Sequence, residues 1–226
     1  MQTAKQRLDF YFDFADPISY AISTQIGGWA EKSGFEVAWF AIPWEKERPA
    51  DSQRRARAAR ALTTAYGYPL FPRFETDSRA ACRILAITDF ANREQMTMRF
   101  FQAWYANDLP PYLDRFLEGL AQDCLVDVDA MWSAVRADQH PADQWIAVEM
   151  ARGLESGVTS LPSLLLPTGG VISFGDIGED NAETEVIKRA QAHELDVSIS
   201  TRPSRCYLLQ GEGPTLFCKW CSCDRG

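Results

Sequence analysis

The β-forming residues of this chain sit in two widely separated places, and that separation limits the folds open to it. Near the start, "LDFYF" is followed by "PISYAISTQIGGWAEK" and then by "FEVAWFAIP". The first run predicts a strand over 8–14 and the second a helix over 17–32 that ends near Gly34. The third run alternates, so it predicts a second strand, stopped by Pro43. A strand, helix and strand joined this closely form a βαβ unit with parallel strands. From about 50 to 155 the β-branched runs disappear, and Ala, Arg, Leu and aromatic residues recur at helical spacing. "RAACRILAITDFA" and "MTMRFFQAWYAN" predict helices, as do "DVDAMWSAVRA", capped by Asp127 or Asp129, and "PADQWIAVEMARGLESG". Only then do "SLLLP" and "VISFG" return as short strands around a "TGG" turn. "DNAETEVIKRAQAHEL" predicts a closing helix, acidic first and basic later as its dipole favours. The order is therefore βαβ, helices, ββα. It predicts an α/β core over 1–48 and 156–197, an all-helical insertion over 49–155, and a tail over 198–226.

Composition narrows the partners. With 226 residues and 46% hydrophobic content, the chain can bury a sizeable core, and no segment reads as a membrane span. The opening "MQTAKQR" has no apolar stretch of the kind a secretory signal needs, so the expected location is cytoplasmic. A net charge of −8 argues against nucleic acid or an anionic membrane as partner. The local exception is "RRARAAR", with Arg54, Arg55, Arg57 and Arg60. It reads either as a solvated helix surface or as a patch that draws a small anionic substrate to a nearby cleft.

The turn "DFADPISY" is the first candidate site. Asp16 suits an N-cap and Pro17 the first helical position. Asp16 has two readings. It is a cap worth about 1 kcal/mol, or it is a general base or hydrogen-bond acceptor in a cleft. Against the base, a helix N-terminus favours the ionised carboxylate and so weakens it as a base. Ser19, one turn into the helix, either meets a ligand or is an ordinary helix residue. In "AYGYPLFPRF", Tyr66, Tyr68, Phe71 and Phe74 line a pocket for a planar substrate or simply pack a core. Trp104 and Tyr105 close a helix facing the same region, and Arg73 or Arg79 could meet a substrate carboxylate. The only histidines, His140 and His193, stand apart, which argues against a Ser-His-Asp triad or a His-rich metal site.

Cysteine usage is lopsided. Cys82 and Cys124 fall in predicted helices and read as small buried hydrophobes. Cys206, Cys218, Cys221 and Cys223 crowd the end of the chain. They could hold zinc or another soft metal, form a redox pair that swings to the cleft, or be free thiols on a flexible tail. The Cys-x-Cys step in "CKWCSC" is unusual for a structural zinc knuckle.

Four segments, in order, resemble one group of proteins: "LDFYFDFADPISYAIS", "AYGYPLFPR", "FFQAWYANDLPPYLDRFLEGLA" and "ESGVTSLPSLLLPTGGVISFGDI". They are similar to the DsbA-like thioredoxin superfamily, and especially to its 2-hydroxychromene-2-carboxylate isomerase and kappa-class glutathione transferase branch. The resemblance implies a thioredoxin-like core with a helical insertion and a homodimer. It implies that Pro162 is a cis-proline and that Leu161 offers its backbone to a thiol peptide. It further implies that Gly175 and Asp176 hold the γ-glutamyl end of glutathione. Position 16 matches the reactive position, where the thiol oxidoreductases of the group carry Cys, with another Cys three residues on, and the isomerase branch carries Ser. This chain has Asp16 and Ser19 instead. Without either cysteine, dithiol–disulfide exchange at this turn is impossible. A carboxylate there also repels a bound thiolate.

The leading expectation is an isomerase- or transferase-like enzyme acting on a small substrate, aromatic ones included, with glutathione or another thiol. Asp16 and Ser19 would be catalytic, Leu161, Pro162, Gly175 and Asp176 would bind the cofactor, and Tyr66, Tyr68, Phe71, Arg73 and Trp104 would line the substrate pocket. One alternative is a catalytically silent scaffold for a peptide or metabolite, with a metal-binding cysteine tail. Another is a thiol oxidoreductase that uses the tail cysteines.

Overall fold

The computed structural model describes residues 6–32, 34–44, 52–71, 77–110, 112–167 and 169–174. Strand β1 (Gln6–Phe12) leads through a turn into α1 (Pro17–Lys32) and then β2 (Phe35–Ala41). β1 and β2 pair in parallel, Phe10 opposite Trp39, with seven residues in register. Among the described residues the α-helices that follow are α2 (Ser52–Ala65), α3 (Arg79–Ile87), α4 (Arg93–Phe101), α5 (Asp114–Asp123), α6 (Val128–Arg136) and α7 (Ala142–Glu155). The hairpin of β3 (Ser163–Leu165) and β4 (Val171–Ser173) completes a four-stranded sheet in the order β2-β1-β3-β4. β3 runs antiparallel to β1, with Phe10 opposite Leu164, and antiparallel to β4.

Alternation along β1 divides the interior into two layers. Leu8, Phe10 and Phe12 point into the larger core with α1, α3 and α4. Its centre is aromatic: Phe12 meets Phe14, Trp39 and Phe101 with ring centroids 5.1–6.1 Å apart. Tyr11 faces the other way, toward Phe40, Ile42, Val158 and Leu161. Helix α7 covers that second face. Its Gly153 lies so close to the sheet that an added Cβ would sit 3.2 Å from the Tyr11 ring. No helix among the described residues is long and apolar enough to cross a membrane.

Two boundaries differ from the sequence expectation. Helix α3 stops at Ile87 instead of running on to Ala91. Thr88 turns extended, with its hydroxyl on the Ile84 carbonyl at 2.7 Å, while Arg93 Nε donates to the Thr88 carbonyl at 3.1 Å. The helix read over 96–107 changes hand-hold within its length. Gln102–Ala106 is a π-helical turn, closed by the Asn107 amide on the Gln102 carbonyl at 2.9 Å. The closing helix expected at 180–195, the cysteine tail and His193 lie outside the described residues.

Arg83 ties the helices together. Its Nε and Nη2 donate to the two Asp143 oxygens at 2.6 and 2.7 Å. Further bonds reach the Ala137 carbonyl at 2.7 Å and the Asp138 carbonyl at 3.2 Å. The Arg83 guanidinium holds the Asp143 carboxyl below the usual carboxylate range. A group depressed in this way stabilises the fold above its unfolded pKa, and the contribution is lost as pH falls through the depressed value. Arg83→Ala should therefore flatten the acid side of the stability curve. Urea midpoints taken from about pH 2 to 6 test this. If variant and wild type lose stability in parallel, the pair is not the linked group.

Candidate functional site

The turn between β1 and α1 is built from two carboxylates with different surroundings. Asp13 leaves the sheet and turns inward, where Oδ1 accepts from the Ala15 amide at 2.9 Å and Oδ2 from the Trp44 amide at 3.0 Å. The Ser78 hydroxyl is its third donor. The Asp16 amide closes the turn on the Asp13 carbonyl at 3.1 Å.

Asp16 then caps α1, as its residue type and the following proline favour. Its oxygens accept from the Ile18 amide at 3.3 Å and the Ser19 amide at 2.8 Å. The Ser19 hydroxyl donates to Asp16 Oδ2 at 2.7 Å. From α2, Arg55 adds Nε at 2.9 Å and Nη2 at 2.8 Å, both on Oδ1. The same Nη2 donates to the Leu161 carbonyl at 2.7 Å. One guanidinium thus spans the β1–α1 turn and the loop at Leu161–Pro162, whose peptide bond is cis. Asp16 is only 9% exposed and Ser19 is fully buried.

This arrangement redistributes the candidates. Asp16, Ser19, Leu161 and Pro162 come together at one place. Ser19 directs its proton to Asp16 and accepts from the Asp13 amide at 3.4 Å, so both sides of its hydroxyl face the chain itself. Both Asp16 oxygens are occupied by internal donors. Arg55 was legible only as one of four arginines. Its helical register singles it out: Arg55, Ala59 and Leu62 share a face, and Ala59 and Leu62 are fully buried, whereas Arg57 and Arg60 are exposed.

The aromatic segment reaches the same turn indirectly. Tyr20 of α1 stacks on Tyr105 at 5.3 Å and donates its hydroxyl to the Pro69 carbonyl at 3.0 Å. Tyr105 donates to the Phe14 carbonyl at 3.1 Å and receives the Phe71 amide on its own carbonyl at 2.7 Å. The π-helical turn makes this possible, because its extra residue lets Trp104 and Tyr105 both face inward. Trp104 is fully buried and Tyr66 is 6% exposed, so they belong to the core beneath the segment. Tyr68 is half-buried and Phe71 is 50% exposed. Arg73, Gly175 and Asp176 lie outside the described residues. Tyr105→Phe removes the hydroxyl bond to the Phe14 carbonyl and should cost about 1 kcal/mol. Chemical denaturation checks this, and no loss at all would mean that the hydroxyl does not hold the turn.

Sulfur chemistry within the described residues is quiet. Cys82 and Cys124 are buried free thiols. Burial pushes the Cys82 thiol well up and the Cys124 thiol up to about 11, away from reactive thiolate. Among the described residues no group of three or more His, Cys, Asp or Glu side chains could hold a metal ion. Cys206, Cys218, Cys221 and Cys223 fall outside them.

No family model matches the chain, and no curated protein matches it in sequence. Solved structures do match. A 2-hydroxychromene-2-carboxylate isomerase superposes with a TM-score of 0.63 at 17% identity, covering 86% of this chain and 100% of that one. The chain has a DsbA-like thioredoxin fold. A probable DsbA oxidoreductase from Streptomyces coelicolor shares it, with a TM-score of 0.60 at 18% identity over 83% of this chain and 90% of that one. So does the cytosolic disulfide reductase DsbM from Pseudomonas aeruginosa with GSH, at 0.55 and 15% over 83% of this chain and 99% of that one.

Proposed function

We propose that this chain is an isomerase-type enzyme of the DsbA-like group that works without dithiol exchange and binds a small aromatic carboxylate at the Arg55–Leu161 end of the turn. The observation that carries this reading is the Asp16–Arg55–Leu161 bridge, in which an ion pair stands in place of a sulfur. A guanidinium is a planar fork suited to a carboxylate. A substrate carboxylate binds by replacing the Leu161 carbonyl as acceptor of Arg55 Nη2, while Asp16 keeps the guanidinium oriented. Tyr68 and Phe71, anchored to the turn through Tyr20 and Tyr105, provide the aromatic wall. The solved isomerase with the same fold is named for a carboxylate of an aromatic ring system, which supports the substrate class. Glutathione as co-substrate is supported by the DsbM structure with GSH. A homodimer and a cytoplasmic location complete the proposal.

The test is calorimetric titration with phenylpyruvate and with glutathione, together with an insulin-reduction assay. We expect phenylpyruvate to bind, its affinity to fall at least ~10-fold in Arg55→Ala through loss of a charge-assisted bond, and insulin not to be reduced. Phenylpyruvate affinity unchanged in the variant would overturn the site assignment. A second reading, a silent binding scaffold, is favoured by the saturation of both Asp16 oxygens. Binding without turnover of any tested aromatic oxo acid would select it.

A further inference from the structure

We propose that Asp13 is the positioning residue of this site, and that the proton content of its carboxylate sets the geometry of the Asp16–Arg55–Leu161 bridge. The proposal rests on reading that bridge as the ligand site, but its geometric claim concerns the free protein.

Three observations carry it. The first is connectivity. The Asp13 carboxylate gathers donors from three segments: Ala15 in the turn, Trp44 at the exit of β2, and Ser78 at the start of α3. The second is its direct hold on the bridge. The Asp13 carbonyl accepts the Asp16 amide at 3.1 Å, and the Asp13 amide meets the Ser19 hydroxyl that donates to Asp16. The third is burial without a cation. Asp13 is 5% exposed, and among the described residues no Lys, Arg or His pairs with it. The groups that face it are Asp16 in its own turn, already paired to Arg55 of α2, Ser78 and Cys82 from α3, and Tyr112 from the segment before α5. From the segment after β2 the Trp44 amide reaches it.

Desolvation therefore raises the Asp13 carboxyl above its ordinary range, against the pull of its three donors. A group raised in this way favours the fold while protonated, and that contribution is lost as pH rises from the unfolded value through the raised one. The two forms differ in their bonds. Ionised, the carboxylate accepts from all three donors. Protonated, one oxygen carries a hydrogen that must find an acceptor among groups that otherwise donate, so the bonds around the carboxyl rearrange and the turn relaxes. The relaxation passes to Asp16 through the backbone bond and through Ser19.

The experiment is NMR of the full chain, without ligand, from about pH 4 to 8. It follows the Asp13 carboxyl carbon, the Ser19 amide and the Arg55 Nε–H in wild type, Asp13→Asn and Ser78→Ala. In wild type the Ser19 and Arg55 signals should move with the same midpoint as the Asp13 carbon. In Asp13→Asn that step should vanish. In Ser78→Ala the Asp13 midpoint should rise, because a donor to the ionised form is gone, and the Ser19 and Arg55 signals should follow it. A Ser19 or Arg55 step that persists unchanged in Asp13→Asn overturns the proposal, as do signals that ignore the Asp13 titration. If Asp13→Asn does not fold, Ser78→Ala decides. Site signals that stay put while Asp13 moves refute the coupling. None of these outcomes depends on whether phenylpyruvate binds, so the two proposals fail separately.

Discussion

Arg55→Ala is expected to destabilise the protein by about 3 kcal/mol, the cost of leaving one member of a buried ion pair alone. Both partners are largely shielded, with side chains 14% and 10% exposed, so the loss should exceed that of a surface pair. Two groups are orphaned at once. Asp16 loses its charge partner and the Leu161 carbonyl loses its donor. For a chain of this size, each kcal/mol corresponds to roughly 2–4 °C in melting temperature. Arg55→Lys keeps the charge but offers a single ammonium, which cannot reproduce a fork that reaches Asp16 and Leu161 together. It should recover part of the loss. Denaturant titration of the two variants checks this, and a cost for alanine below about 1 kcal/mol would mean that the bridge behaves like an exposed pair.

The second large effect concerns Asp16 itself. The thiol introduced by Asp16→Cys should ionise well below the ~8.5 of a free cysteine. It inherits the Ser19 and Ile18 amides at the start of α1 and the guanidinium of Arg55, all of which now hold a carboxylate anion. The turn is thus an anion site that carries its own anion. Thiolate absorbance against pH, in a background with Cys206, Cys218, Cys221 and Cys223 replaced by serine, measures the value. An ordinary or raised value would show that the donors do not converge on the side chain at position 16. Cys82 and Cys124 do not interfere, since burial raises both. The result also bears on glutathione. A donor set already neutralised by Asp16 has little left to offer a bound thiolate, so a thiol ligand would have to bind through its peptide backbone.

The opening of the fold was readable because several local signals agree there. Alternation in β1 and β2, a capping Asp16, Pro17 at the first helical position and Gly34 in a left-handed turn at φ 76° all specify the same βαβ unit. The hairpin of β3 and β4 was readable from its turn. The π-helical turn was not. Helical periodicity averages over several turns, and one i→i+5 bond at Gln102–Asn107 shifts the register by a single residue without changing composition. The site was half readable. Position 16 and the loop at Leu161–Pro162 could be placed because local sequence marks them. The bridge between them could not, because the arginine that makes it comes from a distant helix in a run of four similar residues. Asp13 was passed over for a related reason. On sequence it reads as the polar end of a strand, and only the closing of α3 and of β2 around it makes it buried.

The Arg55 bridge also has a kinetic side. It joins residues 39 apart in sequence on one arm and 106 apart on the other. Loops of that length carry a closure cost that no local contact offsets in advance. Helices α3 to α7 can gather through shorter-range contacts, whereas the bridge needs the βαβ unit, α2 and the returning hairpin all in place. The bridge is therefore assembled late in folding, after most of the interior has formed. Mutations at Arg55 should accordingly speed unfolding far more than they slow refolding.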